Sequence, residues 1–204
     1  MRILAIETAT EACSVALFDD TKLFDARHEV LGRGHAERLV PMIAELPEKG
    51  RADRVLVSLG PGSFTGGRIG LAVARALGFA WNAEVLGYPT MGLVAAMARA
   101  DCAEPVSVCM NGGHGEWFVQ NFDSDGMAED AVVSLAPEPA CAAANHRLIA
   151  GNRAAECVEA SGREAIALPI LPEARFAPIV PAAFLTNDLA PLYGRGPDAK
   201  LPGK

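Results

Sequence analysis

The stretch GPGSFTGGRIG at residues 60–70 places five glycines between an apolar run that reads as a strand and one that reads as a helix. Backbone N–H groups gathered at a helix N-terminus suit an anion. Gly60, Gly62, Ser63, Thr65 and Gly66 are therefore candidate contacts to an anion or nucleotide. Glu7 and Thr8 join them: a carboxylate at the end of a strand can organise magnesium-bound phosphate, although the Glu7 carboxylate also reads as one that orders the TAT turn after it. Three known loops nevertheless fail on spacing. Glycines at 60, 62 and 66 are one residue too long for G-x-G-x-x-G. A Walker A loop needs Lys and then Ser or Thr after Gly67, where this chain has Arg68 and Ile69. Ser63 is not in a G-x-S-x-G elbow. A second reading stands beside the phosphate cradle: the glycines let the chain turn sharply and bring the next helix close against a sheet. Without a lysine or a magnesium hydroxyl, the loop reads better as the tight entry to a packed helix, with any anion contact completed by a partner.

Other chemistry-bearing residues are sparse. His28, His35, His114 and His146 form no H-x-x-x-H pair, so metal-dependent hydrolysis has no ligand set. Asp101, Asp123, Asp125 and Asp130 lie in loop-like segments and make no spaced acid/base pair. The chain is therefore expected to bind no metal or cofactor alone and not to be an enzyme on its own. His35 stands apart because it opens a helix, where its imidazole is placed to cap or to reach across an interface.

The elements around these residues follow from periodicity. Strands are predicted at 2–7, 13–18 and within 22–30, a helix at 34–46 containing Pro41, a strand at 54–59, a helix at 68–81, a strand at 84–88 and a helix at 90–100 that Thr90 could cap. Beyond Asp101 come strands at 105–110, 116–122 and 131–135, a helix at 137–144, a strand at 148–151 and a helix from 153. Both halves read βββαβα, the order of a ribonuclease-H-like unit, and two such units make an actin-like or Hsp70-like α/β fold. The expected lobes are residues 1–102 and 103–204, the second smaller and more irregular. The helix at 68–81 has almost no polar face, so it must be buried on more than one side. With the apolar face of 39–46 it makes a candidate docking surface, carried by His35, Leu39, Ile43, Arg68, Leu71, Val73, Arg75 and Leu77; the other reading is that this chain itself covers both faces.

Composition narrows the class. Half of the 204 residues are hydrophobic and 21% charged, as in a folded protein. A net charge of -7 with no basic run argues against direct nucleic-acid binding, so a partner would hold any RNA. Five scattered cysteines without C-x-x-C read as buried structural thiols. No apolar run approaches the roughly 20 residues that span a bilayer, and the N-terminus runs directly into a strand; a reducing cytoplasm fits.

RILAIETATEACSVALF at the start, GHAERLVPMI at 34–43, GPGSFTGGRIG at 60–70 and LYGRGPDAKLPGK at the end resemble the TsaB family, also called YeaZ. The first three blocks, each ten residues or longer, carry the resemblance. It implies an actin-like fold lacking the metal-binding histidines of TsaD, and a scaffold role in threonylcarbamoylation of adenosine 37 in ANN-reading tRNAs. It also implies pairing with TsaD through the two docking helices, joining of TsaE with ATP hydrolysis and ATP or ADP at the complex interface, and a homodimer through a related surface. Two other readings stay open: an actin-like ATPase or kinase using Glu7 and the glycine loop, and a glycoprotease-like hydrolase. The chain departs from the family at Asn111-Gly112-Gly113-His114, where relatives carry Asp-Ala-Arg, and in its tail, where Gly194 and Gly196 flank Arg195 and should loosen the last strand or coil.

Overall fold

The computed structural model describes residues 1–101 and 103–194. Cys102, Arg195 and Gly196 lie outside the described residues. Three antiparallel strands open the chain: β1 (Arg2–Glu7), β2 (Ala12–Asp19) and β3 (Lys22–Val30). Helix α1 (His35–Ala44), β4 (Arg54–Ser58), α2 (Phe64–Trp81), β5 (Glu84–Tyr88) and α3 (Thr90–Ala98) follow, with β4 parallel to β1 and to β5. The sheet order is β3-β2-β1-β4-β5.

The second half repeats the plan with β6 (Val106–Gly113), β7 (Glu116–Phe122), β8 (Val133–Leu135), α4 (Pro137–Ala143), β9 (Leu148–Ala150), α5 (Ala154–Ser161) and β10 (Ile166–Leu168). Its sheet, β10-β9-β6-β7-β8, has the same order read in reverse. β10 has no counterpart in the periodicity reading, because three residues before a proline carry too little pattern to register as a strand.

Strand alternation sorts the first core into two layers. Leu4, Ile6, Val15, Leu17, Val55 and Val57 face α1 and α2, where Leu39, Met42, Ile43, Leu71 and Ala74 meet them. Ile3, Ala5, Ala16, Phe18 and Leu56 face the other way, onto Leu93 of α3 and onto Ala174, Ala177 and Val180 of the segment that follows the second sheet. Both faces are covered over β1, β2 and β4, hence the near-continuous apolar runs of those strands.

The helix that sequence suggested as buried on more than one side is not the enclosed one. Helix α3 is the one enclosed on all sides: residues 90–96 and Ala98 are buried, between the first sheet and Val106, Val108 and Phe118 of the second. Thr90 is its first residue rather than its cap, a position held by Pro89, and its hydroxyl lies 2.5 Å from that of Ser58. Helix α2 buries only one side, leaving Ala72, Arg75, Ala76, Phe79 and Ala80 exposed. It also starts at Phe64, four residues before the predicted start, because Ser63 caps it: the Ser63 Oγ accepts the Gly66 N–H at 3.1 Å.

Candidate functional site

The turn after β1 and the glycine loop after β4 are locked together at one end of the first sheet. The Ser63 N–H donates to the Ala9 carbonyl at 2.6 Å, and the Thr8 hydroxyl donates to the Gly66 carbonyl at 2.8 Å. An added Cβ would lie 2.0 Å from the Ala9 oxygen at Gly62, 2.2 Å from the Thr8 oxygen at Gly66, and 2.3 Å from the Thr8 Oγ1 at Gly70. Glycine at these three positions is what allows the start of α2 to rest on the turn. Several amides that a phosphate cradle would present are occupied: Gly60 N–H by the Ser58 hydroxyl, Gly66 N–H by the Ser63 side chain and Gly67 N–H by the Ser63 carbonyl.

A cleft of about 380 Å³ opens between the lobes beside this junction. Of the anion candidates, Gly60, Gly62 and Ser63 line it. Thr65 is exposed outside it, and Gly66 is buried beneath the loop. Glu7 and Thr8 are sealed behind the wall, 0% and 1% exposed. The Glu7 Oε1 accepts the Ala9 N–H at 2.7 Å, while its Oε2 has no hydrogen-bond partner. Burial pushes the carboxyl up to about 7, against the lowering effect of its bond to Ala9. A carboxyl enclosed in this way does not face a ligand in the cleft, so its candidacy as a phosphate or magnesium contact is corrected: it belongs to the core beneath the turn.

The rest of the cleft comes largely from residues that sequence did not single out as anion contacts. Asn152, in the turn before α5, donates through Nδ2 to both carboxylate oxygens of Glu11, at 2.9 and 3.1 Å, and its Oδ1 accepts the Asn111 N–H at 2.9 Å. One amide thereby ties the first-lobe turn to the second-lobe hairpin. The departure at residues 111–114 makes that hairpin, with Gly113, His114 and Gly115 all at positive φ, and all four of its residues line the cleft. On the opposite rim the terminal segment comes back: Leu192 N–H donates to the Leu59 carbonyl at 2.7 Å, and the Tyr193 hydroxyl accepts from Arg68 Nη2 at 2.8 Å. Arg68 also lies over the Phe64 ring at 3.6 Å.

The docking candidates divide by burial. His35, Leu39, Ile43 and Leu71 are core residues, 6%, 0%, 4% and 4% exposed, and are corrected as direct partner contacts. His35 bonds inward, its Nε2 3.2 Å from the Ala12 carbonyl. Val73 and Leu77 are half-buried against the same core. Arg68 and Arg75 are exposed but engaged by the terminal segment, Arg75 Nη2 donating to the Leu189 carbonyl at 3.1 Å. The open apolar positions are one step round α2, with Phe79 92% exposed, and Val40 on α1 is 55% exposed.

Among the described residues no three His, Cys, Asp or Glu side chains are arranged to hold a metal ion, and no helix is long and apolar enough to cross a membrane.

Two five-stranded sheets of one order, joined across a cleft with a buried helix between them, define an actin-like two-lobed α/β protein. The chain belongs to the TsaB (YeaZ) family, its residues 28–170 matching the family model described as "TsaD: tRNA N6-adenosine threonylcarbamoyltransferase". It is 36% identical to TsaB of Escherichia coli over 68% of this chain and 64% of that protein. It is 31% identical to a Mycobacterium tuberculosis protein over 97% of this chain and 93% of that one. YeaZ from Pseudomonas aeruginosa superposes with a TM-score of 0.80 at 27% identity, covering 94% of this chain and 99% of that one. EutJ from Carboxydothermus hydrogenoformans, 12% identical with a TM-score of 0.52 over 90% of each chain, shares the fold alone. The matched segments span 64% and 43% of the TsaB proteins of E. coli and Haemophilus influenzae.

Proposed function

We propose that this chain is a binding subunit, not catalytic alone, that pairs with a TsaD protein for threonylcarbamoylation of adenosine 37 in ANN-reading tRNAs. The observation that carries this reading is the open apolar side of α2, where Ala72, Ala76, Phe79 and Ala80 are exposed on a helix anchored by its opposite side. An exposed aromatic flanked by alanines lets another helix approach closely and bury a large side chain, the character of an interface centre. The acidic chain does not bind tRNA itself; the complex holds it. TsaE and ATP or ADP act at the assembled complex, a homodimer uses a related face in the absence of TsaD, and the reaction takes place in the cytoplasm.

Phe79→Asp and Ala76→Glu are expected to abolish co-purification with TsaD, a loss of on the order of 2 kcal/mol or more of binding. As surface changes, their thermal unfolding should stay within about 0.5 kcal/mol of the parent. Undiminished pairing by both variants would remove α2 as the interface. Reconstitution with TsaD, TsaE, tRNA and threonylcarbamoyl-adenylate, with this chain omitted in turn, tests the scaffold role; an unchanged yield of modified tRNA without it refutes that role.

A further inference from the structure

The segment from Thr186 to Gly194 joins the two lobes without a strand or helix of its own. One end is anchored beside β5, where Gly87 and Thr186 exchange backbone hydrogen bonds of 2.8 and 3.0 Å. Asp188 then turns the chain: its N–H donates to the Thr186 Oγ1 at 3.0 Å, and its Oδ1 accepts the Ala190 N–H at 3.1 Å. From there the segment runs along α2, where the Leu189 carbonyl accepts from Arg75, and over the glycine loop, where the Leu192 N–H reaches the Leu59 carbonyl. The Leu192 carbonyl rests on Gly60, 3.0 Å from where a Cβ would stand. Tyr193 lies beside the Phe64 ring, centroids 6.2 Å apart, and Arg68 donates to its hydroxyl. Gly194 ends on the second lobe, where an added Cβ would lie 2.3 Å from the Phe118 ring of β7. Residues 191–194 are in this way one wall of the cleft.

The attachments are unequal. None of residues 186–194 is buried, and Leu192 and Tyr193 are 43% and 55% exposed. Beyond the turn the segment is held by single hydrogen bonds and a surface stack, the kind of contact that opens locally well before a core does. The bonds around Asp188 are within the turn itself and persist when the residues after it lift away. The surfaces beneath are fixed by contrast: Leu59 and Phe118 are each 4% exposed, one in the core of each lobe. We propose that residues 189–194 are a lid on the cleft between the lobes, hinged at Asp188 and latched by Tyr193 on Arg68 and by Gly194 on Phe118, which opens without unfolding either lobe. Because Gly60 and Phe118 belong to different lobes, one motion uncovers both sides of the cleft. Glycine at 194 is what lets the lid close, since any larger residue meets the buried Phe118 ring first.

The test is amide hydrogen exchange, read by NMR on the folded full chain. The Leu192 N–H, bonded to Leu59, reports the closed lid, and the Thr186 N–H, bonded to Gly87, reports the anchored side of the hinge. Protection at Leu192 is expected to be lower than at Thr186 by about tenfold or more. Gly194→Ala should prop the lid and lower Leu192 protection by about a further tenfold, while Thr186 and the strand amides of β1 and β4 keep theirs. Tyr193→Ala should act in the same direction through the other latch. Equal protection at Leu192 and Thr186 in the parent overturns the hinge. Unchanged Leu192 protection in both variants overturns the latches, and an equal loss at the strand amides means that the lobes unfold rather than the lid opening. A neutral gadolinium chelate in solution should relax the Gly60 and Gly112 amides more strongly in Gly194→Ala than in the parent. Equal relaxation means that the segment does not gate the cleft.

Discussion

Glu7→Gln is expected to stabilise the folded chain by about 3 kcal/mol above pH 7, since each unit of pKa shift is worth about 1.4 kcal/mol. Glu7 is fully buried and its carboxyl is raised from 4.5 to about 7. The folded state therefore holds a proton that the unfolded chain has released, and stability falls as pH rises between those two values. Below about pH 4.5 the contribution is fully present; by pH 7 most of it is lost, because a charge must sit in the core with one oxygen unpartnered. Glutamine keeps a carbonyl oxygen for the Ala9 N–H and never ionises. Urea unfolding across pH should give parent and variant curves that converge below about pH 4.5 and separate toward pH 8. Parallel curves would mean that Glu7 ionises freely in the fold, the Ala9 and Thr8 amides and the Ser58 and Tyr88 hydroxyls offsetting its burial in full. A buried acid of this kind beneath the turn also explains why no nucleotide chemistry need be assigned to it.

Most of the element order was legible because strand alternation and helix period are strong in this chain, and both sheets follow that order. What escaped the sequence has physical causes. The start of α2 was missed because Gly66 and Gly67 read as helix breakers, whereas Ser63 three residues before Gly66 is a cap signal that outweighs them once Thr8 and Ala9 press against the glycines. Some docking candidates fall in the core because periodicity names an apolar stripe without saying which side finds a sheet: Leu39, Ile43 and Leu71 found one, and Phe79 did not. The cleft was half legible. Gly60, Gly62 and Ser63 stand out by type and spacing, but Glu11 and Asn152 are ordinary polar residues whose meaning arises only when 141 residues of chain fold back to bring Asn152 onto Glu11.

Neighbouring glycines in the loop should respond to alanine with opposite signs, and the pair separates the two readings of GPGSFTGGRIG. At Gly66 a Cβ would lie 2.2 Å from the Thr8 carbonyl oxygen and 3.3 Å from the Ser63 Oγ that caps the helix. Thr8 cannot retreat, since it is buried and its own hydroxyl is bonded to the Gly66 carbonyl. Gly66→Ala is therefore expected to destabilise by about 3 kcal/mol, the upper end of ordinary overpacking. At Gly67 nothing lies within 4 Å of the added atom, and alanine removes unfolded-state freedom in a helix, so Gly67→Ala should stabilise by about 0.5–1 kcal/mol. Equilibrium unfolding of both variants measures the contrast. Because the contact at Gly66 fixes where α2 begins, its loss should also weaken the proposed pairing with TsaD through the displaced Phe79 face, whereas Gly67→Ala should leave that pairing unchanged. If both substitutions left stability unchanged and instead reduced nucleotide affinity of the assembled complex, the glycines would belong to a ligand loop, and close packing of helix on turn would not be their reason.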